Sequence, residues 1–205
     1  MGWTLEETTG NSDHIKSLEK AISKANDQNI LMFCAAKDEG YNQIGYGFPS
    51  TFRKIFCIGA ATNFGHMSQM VGSHASRVNF FFPGENLTPL STQSVNGISG
   101  SSLATALAAG FAGLLLYCAQ IGKQNVSTNS ESSCEKRRKK LQNFNKIDEA
   151  LTAMVIDPST KYIPVSAYFS RVDNDFAWWG PSQDNMLNGV FDRLPWYANL
   201  DRDDE

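Results

Sequence analysis

Nothing at this N-terminus reads as an export leader: Met1-Gly2-Trp3-Thr4-Leu5-Glu6-Glu7 has neither a basic start nor an apolar run. An N-myristoylation signal is excluded as well, because Glu6 stands where Ser or Thr is required. No C-x-x-C pair occurs among Cys34, Cys57, Cys118 and Cys134, and His14, His66 and His74 keep no zinc-ligand spacing. Neither a metal nor a cofactor is therefore expected. Charge is scarce too, with 19% of residues charged and a formal net charge of -3, which argues against nucleic acid as the main partner. The sequons at Asn86-Leu87-Thr88 and Asn125-Val126-Ser127 would matter only in a secreted chain. Cys34, Cys57 and Cys118 sit inside apolar runs, which suits small buried hydrophobes better than a disulfide framework. The expectation is a reduced chain of the cell interior, in the cytoplasm.

What is present is a core. The 205 residues, 41% of them hydrophobic, suffice for one domain but hardly for two. Asn11-Ser12-Asp13 offers N-cap residues, and Ile15, Leu18, Ala21, Ile22 and Ala25 follow at helical spacing until Asn26-Asp27-Gln28-Asn29. Continuous apolar runs at 30–35, 55–60 and 78–82 read as strands covered on both faces, as in a parallel sheet. Alternation of helix and buried strand predicts an α/β sandwich. A polar loop from Leu87 to Ser99 leads to a long apolar helix over 103–120. A serine- and asparagine-rich linker with a basic run, Lys136-Arg137-Arg138-Lys139-Lys140, separates this region (1–122) from elements at 141–170 that return to the core. Residues 171–205 form an aromatic and acidic tail, whose tryptophans suit packing better than a ligand cage.

The stretch that can carry chemistry is Gly100-Ser101-Ser102-Leu103-Ala104-Thr105-Ala106, where a polar loop turns into a buried helix. A hydroxyl placed there sits over the positive end of the helix dipole, beside backbone N–H groups able to stabilise an oxyanion. Gly100 lets the backbone turn sharply. From Ile98 to Gly122 no residue is charged, long enough to span a bilayer. The serines, glycines and alanines of that run suit a helix buried between protein layers instead, so a membrane role is not expected.

This serine stretch resembles the Gly-Thr-Ser-Met-Ala motif of subtilisin-like serine proteases, with Ser101 for threonine and Leu103 for methionine. Ala35-Ala36-Lys37-Asp38-Glu39-Gly40 resembles the same family's Ala-Ala-Gly-Asn-Glu-Gly segment. Tyr46-Gly47-Phe48-Pro49 and the strand after it are similar to a Tyr-Pro-Ala segment, and Met1-Gly2-Trp3-Thr4 to the strand before the first helix. The resemblance implies a three-layer subtilisin-like sandwich, truncated at its N-terminus, with Ser102 in the nucleophile position and Asp38 in the oxyanion-hole position. In subtilisin itself, losing the asparagine donor of that hole lowers turnover about a hundred- to thousand-fold. A carboxylate cannot replace it while ionised, because it has no proton to donate.

The resemblance also shows what is missing. Subtilases order their triad Asp, His, Ser along the chain. Here no Asp-Ser-Gly, Asp-Thr-Gly or His-Gly-Thr occurs, and only His14 precedes Asp38. The histidines read as surface or loop residues. A serine without its base is a poor nucleophile at neutral pH. The sequence therefore reads as a serine endopeptidase fragment, inactive by itself, acting on polypeptide if an N-terminal half completes it. The rival reading is a pseudoprotease or interaction module.

Overall fold

A computed structural model describes residues 1–42, 47–88, 97–121, 131–169 and 194–197. It is α/β with a parallel sheet, as the sequence pattern predicts, and divides into two compact units. The first comprises Met1–Gly110 and Val155–Ile163; the second Phe111–Met154 and Pro164–Glu205.

In the first unit, helix α1 (Ser12–Asp27) turns Ile15 and Ile22 inward, one hydrophobic face at helical spacing. Asn11 precedes it as expected, but its side chain makes no cap bond to the helix. It instead accepts from Thr8 N at 2.8 Å and donates to Glu6 O at 2.8 Å, folding the approach segment. Strands β1 (Phe33–Ala35), β2 (Phe56–Ala61) and β3 (Phe80–Pro83) lie in that order, all parallel. Every residue of β1 and β2 is buried, which is why their sequences run apolar without alternation. β1 is shorter than its apolar run, because Ile30 is 51% exposed and only Phe33 onward pairs.

The sheet continues beyond its named strands. Ala35 N donates to Met1 O at 3.0 Å on the outer side of β1. Phe81 N donates to Lys161 O, and Ile163 N to Phe81 O, on the outer side of β3. A 3-10 turn, Gly72–Arg77, leads into β3, and Asn79 clasps Cys57 with both its backbone and its side chain, each at 2.8 Å. The rings of Phe33 and Phe56 stack with centroids 5.2 Å apart, and Phe80 lies 6.0 Å from Phe56.

The described part of helix α2 (Ser101–Ile121) begins in the first unit and ends in the second. By length and composition it could cross a membrane. Its buried residues, Ala104, Ala108, Phe111, Ala112, Leu115, Cys118 and Ala119, nevertheless recur at helical spacing, which is the pattern of a helix with one protein-facing stripe. In the second unit, α3 (Glu131–Leu141) and α4 (Phe144–Ala153) pack together. The stretch that reads from sequence as a linker over 123–140 thus contains a helix, whose Glu135–Arg138 pair at 2.7 Å spans one turn. Asn143 caps α4 by accepting from Asn145 N at 3.0 Å, and Ile147, Ala150 and Leu151 face inward. α5 (Val165–Phe169) follows, with Tyr168 donating to Met154 O at 2.8 Å. Trp196 is buried, as a packing residue should be; Trp178 and Trp179 lie outside the described residues.

Phe56 is fully buried at the centre of the first unit's sheet. Phe56→Ala is expected to cost about 3–5 kcal/mol, and Phe56→Leu much less, in urea denaturation followed by fluorescence. Equal costs for the two would remove the ring cluster as a source of stability.

Candidate functional site

Three backbone segments converge where β1, β2 and α2 meet. After β1 the chain continues through Ala36 and the buried Lys37 to Asp38. From the end of β3 the chain returns through Gly84, whose N–H donates to Ala61 O and whose carbonyl accepts from Gly100 N at 2.8 Å. A side chain at Gly84 would meet Ala104 and Ala60 at 2.9 Å, so a glycine there lets α2 start directly against β2. Gly100 itself has φ 151, open to glycine and strained for other residues.

Ser101, fully buried, is the hub of this junction. Its N–H donates to Asp38 Oδ2 and its hydroxyl to Asp38 Oδ1, each at 2.6 Å. Its Oγ also accepts from Ala60 N at 3.0 Å, and its carbonyl accepts from Thr105 Oγ1 at 2.7 Å. One side chain thereby ties the first turn of α2 to the ends of both β1 and β2. Asp38 satisfies a helix N-terminus as an N-cap would, but from the loop after β1, 63 positions away.

Ser102 follows and is exposed. A point one bond out from Gly100 Cα lies 3.5 Å from both Asp38 Oδ2 and Ser102 Oγ, so the carboxylate and the hydroxyl flank the same glycine. On the other side, Gly2 comes so close that a Cβ there would sit 3.2 Å from Ser102 Cβ. The N–H groups of Leu103 and Ala104 both reach Gly100 O, and that of Ser101 reaches Asp38. Among the described residues the Ser102 N–H meets no acceptor, which leaves it available to a bound oxygen.

Sequence reasoning names Ser102 and Asp38, and the structure brings them together. It misses a charge cluster beside them. The Lys37 ammonium, 7% exposed, is held by Glu6 and by Glu39, the latter at 2.5 Å. The hydrogen bonds that Lys37 donates to Glu39 and then to Glu6 hold its pKa above the ordinary value, and Lys37 in turn holds Glu6 below the usual carboxylate range. The cluster joins the N-terminal segment to the Asp38 turn. A lone cation ending an apolar strand was the available signal.

Among the described residues no hydrogen bond joins a histidine side chain to Ser102 or Asp38. His14 is exposed in the first turn of α1 and His66 is exposed in the turn after β2; the His74 side chain lies outside the described residues. Met1–Thr4 is no regular strand, although Met1 pairs beside β1. Phe48 bridges Leu5 antiparallel, with a cis bond to Pro49, while Tyr46 lies outside the described residues.

The sequence pattern of the Subtilase family, Peptidase S8, matches residues 1–171. The chain belongs to the subtilase family. A curated relative named intracellular serine protease, from Paenibacillus polymyxa, is 28% identical over 128 residues, covering 60% of this subtilase chain and 38% of that protein. Among solved structures, the protease domain of PatA superposes with a TM-score of 0.54 at 22% identity, over 83% of this chain and 56% of that one. The PatG macrocyclase in complex with peptide gives 0.52 at 19% identity, over 77% and 44%. The prenylagaramide maturation protease PagA gives 0.52 at 18% identity, over 94% and 59%. These likenesses show a subtilisin-like fold. The chain spans about two fifths of the curated relative and about half of the solved structures.

Ser101→Ala removes the hydroxyl that Ala60 N and Asp38 share, at an expected cost of about 1–3 kcal/mol, whereas Ser101→Thr retains most of the stability. Equal melting temperatures for the Ala variant and the parent would end the hub assignment. The Glu6–Lys37 clamp also predicts a pH window. The lowered Glu6 pKa contributes stability above its ordinary 4.5 that is lost as pH falls through the folded value. The raised Lys37 pKa contributes stability below its ordinary 10.5 that is lost as pH rises through the folded value. Lys37→Met should therefore flatten the melting-temperature profile at both the acid and the alkaline edge. A profile unchanged in shape would remove the clamp.

Proposed function

We propose that this chain is the serine-bearing part of a subtilisin-type endopeptidase domain, with Ser102 as nucleophile on polypeptide substrates. Membership of the subtilase family supports a protease domain. The observation that carries the assignment of Ser102 is its exposed position in the first turn of α2, beside an N–H with no partner among the described residues. In the reaction, the Ser102 hydroxyl would attack the peptide carbonyl, with its own N–H facing the developing oxyanion. An acyl-enzyme would follow and water would release it.

No Asp-Ser-Gly, Asp-Thr-Gly or His-Gly-Thr motif occurs in these 205 residues, and among the described residues no histidine side chain bonds Ser102. In subtilisins, loss of the histidine lowers turnover about two-million-fold, so the chain alone is inactive on our reading. The catalytic Asp and His would come from an N-terminal segment outside this sequence. Asp38 takes the oxyanion-hole position but serves as an acceptor that holds Ser101, not as a donor to substrate. The relative's name and the unbridged thiols of Cys34, Cys57 and Cys118 support an intracellular setting. The competing pseudoprotease reading draws on the same Asp38 geometry, since a carboxylate beside Ser102 Oγ opposes negative charge.

Sequencing the full transcript for coding sequence ahead of Met1, then labelling both chains with a fluorophosphonate, separates these readings. The 205-residue chain should label no faster than its Ser102→Ala variant. A longer product carrying Asp and His-Gly-Thr motifs should label at Ser102 at least a thousandfold faster, by order of magnitude. A longer product that stays unlabelled, or a transcript without such a segment, would leave the pseudoprotease.

A further inference from the structure

Two thiols lie next to each other in the sheet that carries the site. Cys34 of β1 and Cys57 of β2 are register partners on adjacent parallel strands, and both are buried. Partners in adjacent strands point to the same face, with Cα atoms about 4.8 Å apart. Disulfides span Cα distances of about 4.4–6.8 Å, so closure needs little strand movement.

We infer that Cys34 and Cys57 form a site of covalent modification, a dithiol that hydroperoxides convert into a disulfide between β1 and β2. The two thiols are unlike. The influence of each thiol on the other raises the Cys34 pKa strongly and lowers that of Cys57. The Arg77 charge and the Ser50 hydroxyl favour the Cys57 thiolate further. Cys118 stands apart: burial pushes its thiol up to about 11, and no second thiol figures among the influences on it.

The chemistry balances with a peroxide as oxidant. The Cys57 thiol releases its proton, the thiolate attacks one peroxide oxygen, the O–O bond breaks, and the departing oxygen takes up the released proton. Cys57 is then a sulfenic acid. The Cys34 sulfur attacks that sulfur, the S–O bond breaks, and hydroxide leaves with the Cys34 proton as water. Two thiols lose two electrons and the peroxide gains them. Burial sets the rate by local opening and admits small peroxides ahead of glutathione, while the resolving thiol sits at the partner position of the adjacent strand.

The bond would lie just upstream of two groups that hold Ser101. Cys34 precedes Asp38 on the β1 side, and Cys57 precedes Ala60 on β2. Oxidation therefore fixes the spacing of the strands on which the first turn of α2 rests.

The test exposes the reduced, folded 205-residue chain to hydrogen peroxide, then alkylates it under denaturing conditions for mass analysis. The expected product has lost about 2 Da and two alkylatable thiols, with a linked peptide joining Cys34 and Cys57. Its melting temperature rises, and dithiothreitol reverses both changes. Cys34→Ser should form no link and should leave Cys57 as a sulfenic acid that dimedone captures. If the parent keeps both thiols alkylatable, or carries Cys57 on to the sulfinic acid unlinked, the proposal is overturned. A link through Cys118 or Cys134 instead would overturn it too, and these readings on the parent stand even if the variant does not fold.

Discussion

The grip of Asp38 on Ser101 is the constraint on which the site depends. A long helix starts with backbone N–H groups that have no partner within it, and burying that start without acceptors would be costly. Here the first N–H and the first hydroxyl both reach one carboxylate at 2.6 Å. Charge-assisted bonds of this kind contribute about 1.5–3 kcal/mol each. The carboxylate also faces the positive end of the α2 dipole. Because Ala60 N donates to the same hydroxyl, α2 cannot shift relative to β1 without also breaking its tie to β2. The exposed Ser102 inherits its position from the buried residue before it.

That junction explains the small residues around it. The sheet is covered on both faces, so β2 reads Phe-Cys-Ile-Gly-Ala-Ala without a polar break. For α2 to start directly against β2, Gly84 must be bare and Ala60 and Ala104 short. Thr105 then turns its hydroxyl back to Ser101 O, satisfying a buried polar atom inside the helix. Packing and hydrogen bonding thus select the same residues that the serine motif requires. This is why Gly-Ser-Ser alone says little and the run from Gly100 to Gly110 says more.

Much of this was legible in the sequence. The three unbroken apolar runs announced a parallel sheet, since only strands buried on both faces read that way. Ser102 and Asp38 were legible through family likeness, and their proximity followed from it. Other features were not. Strand β1 begins at Phe33, not Ile30, because pairing and not hydropathy ends a strand. The helix at Glu131–Leu141 was hidden by its own composition, as a charged and serine-rich stretch carries no hydrophobic period. The Lys37 cluster depends on Glu6, 31 positions away, which no local pattern reveals.

On the proposed assignment of Asp38 to the oxyanion-hole position, a carboxylate there changes the electrostatic logic of the site. An amide there could accept from Ser101 with its oxygen while its nitrogen donated outward to substrate. A carboxylate offers acceptors only, and both of its oxygens already face Ser101. The helix end is therefore neutralised from within, and its dipole is less available to a developing oxyanion. What remains for that charge is the Ser102 N–H. Lys37, the nearest cation in sequence, is neutralised by Glu6 and Glu39. The site is thus better built to hold its serine than to stabilise negative charge beside it. Any catalysis it performs must draw its base and part of its oxyanion stabilisation from groups beyond those that assemble Ser102.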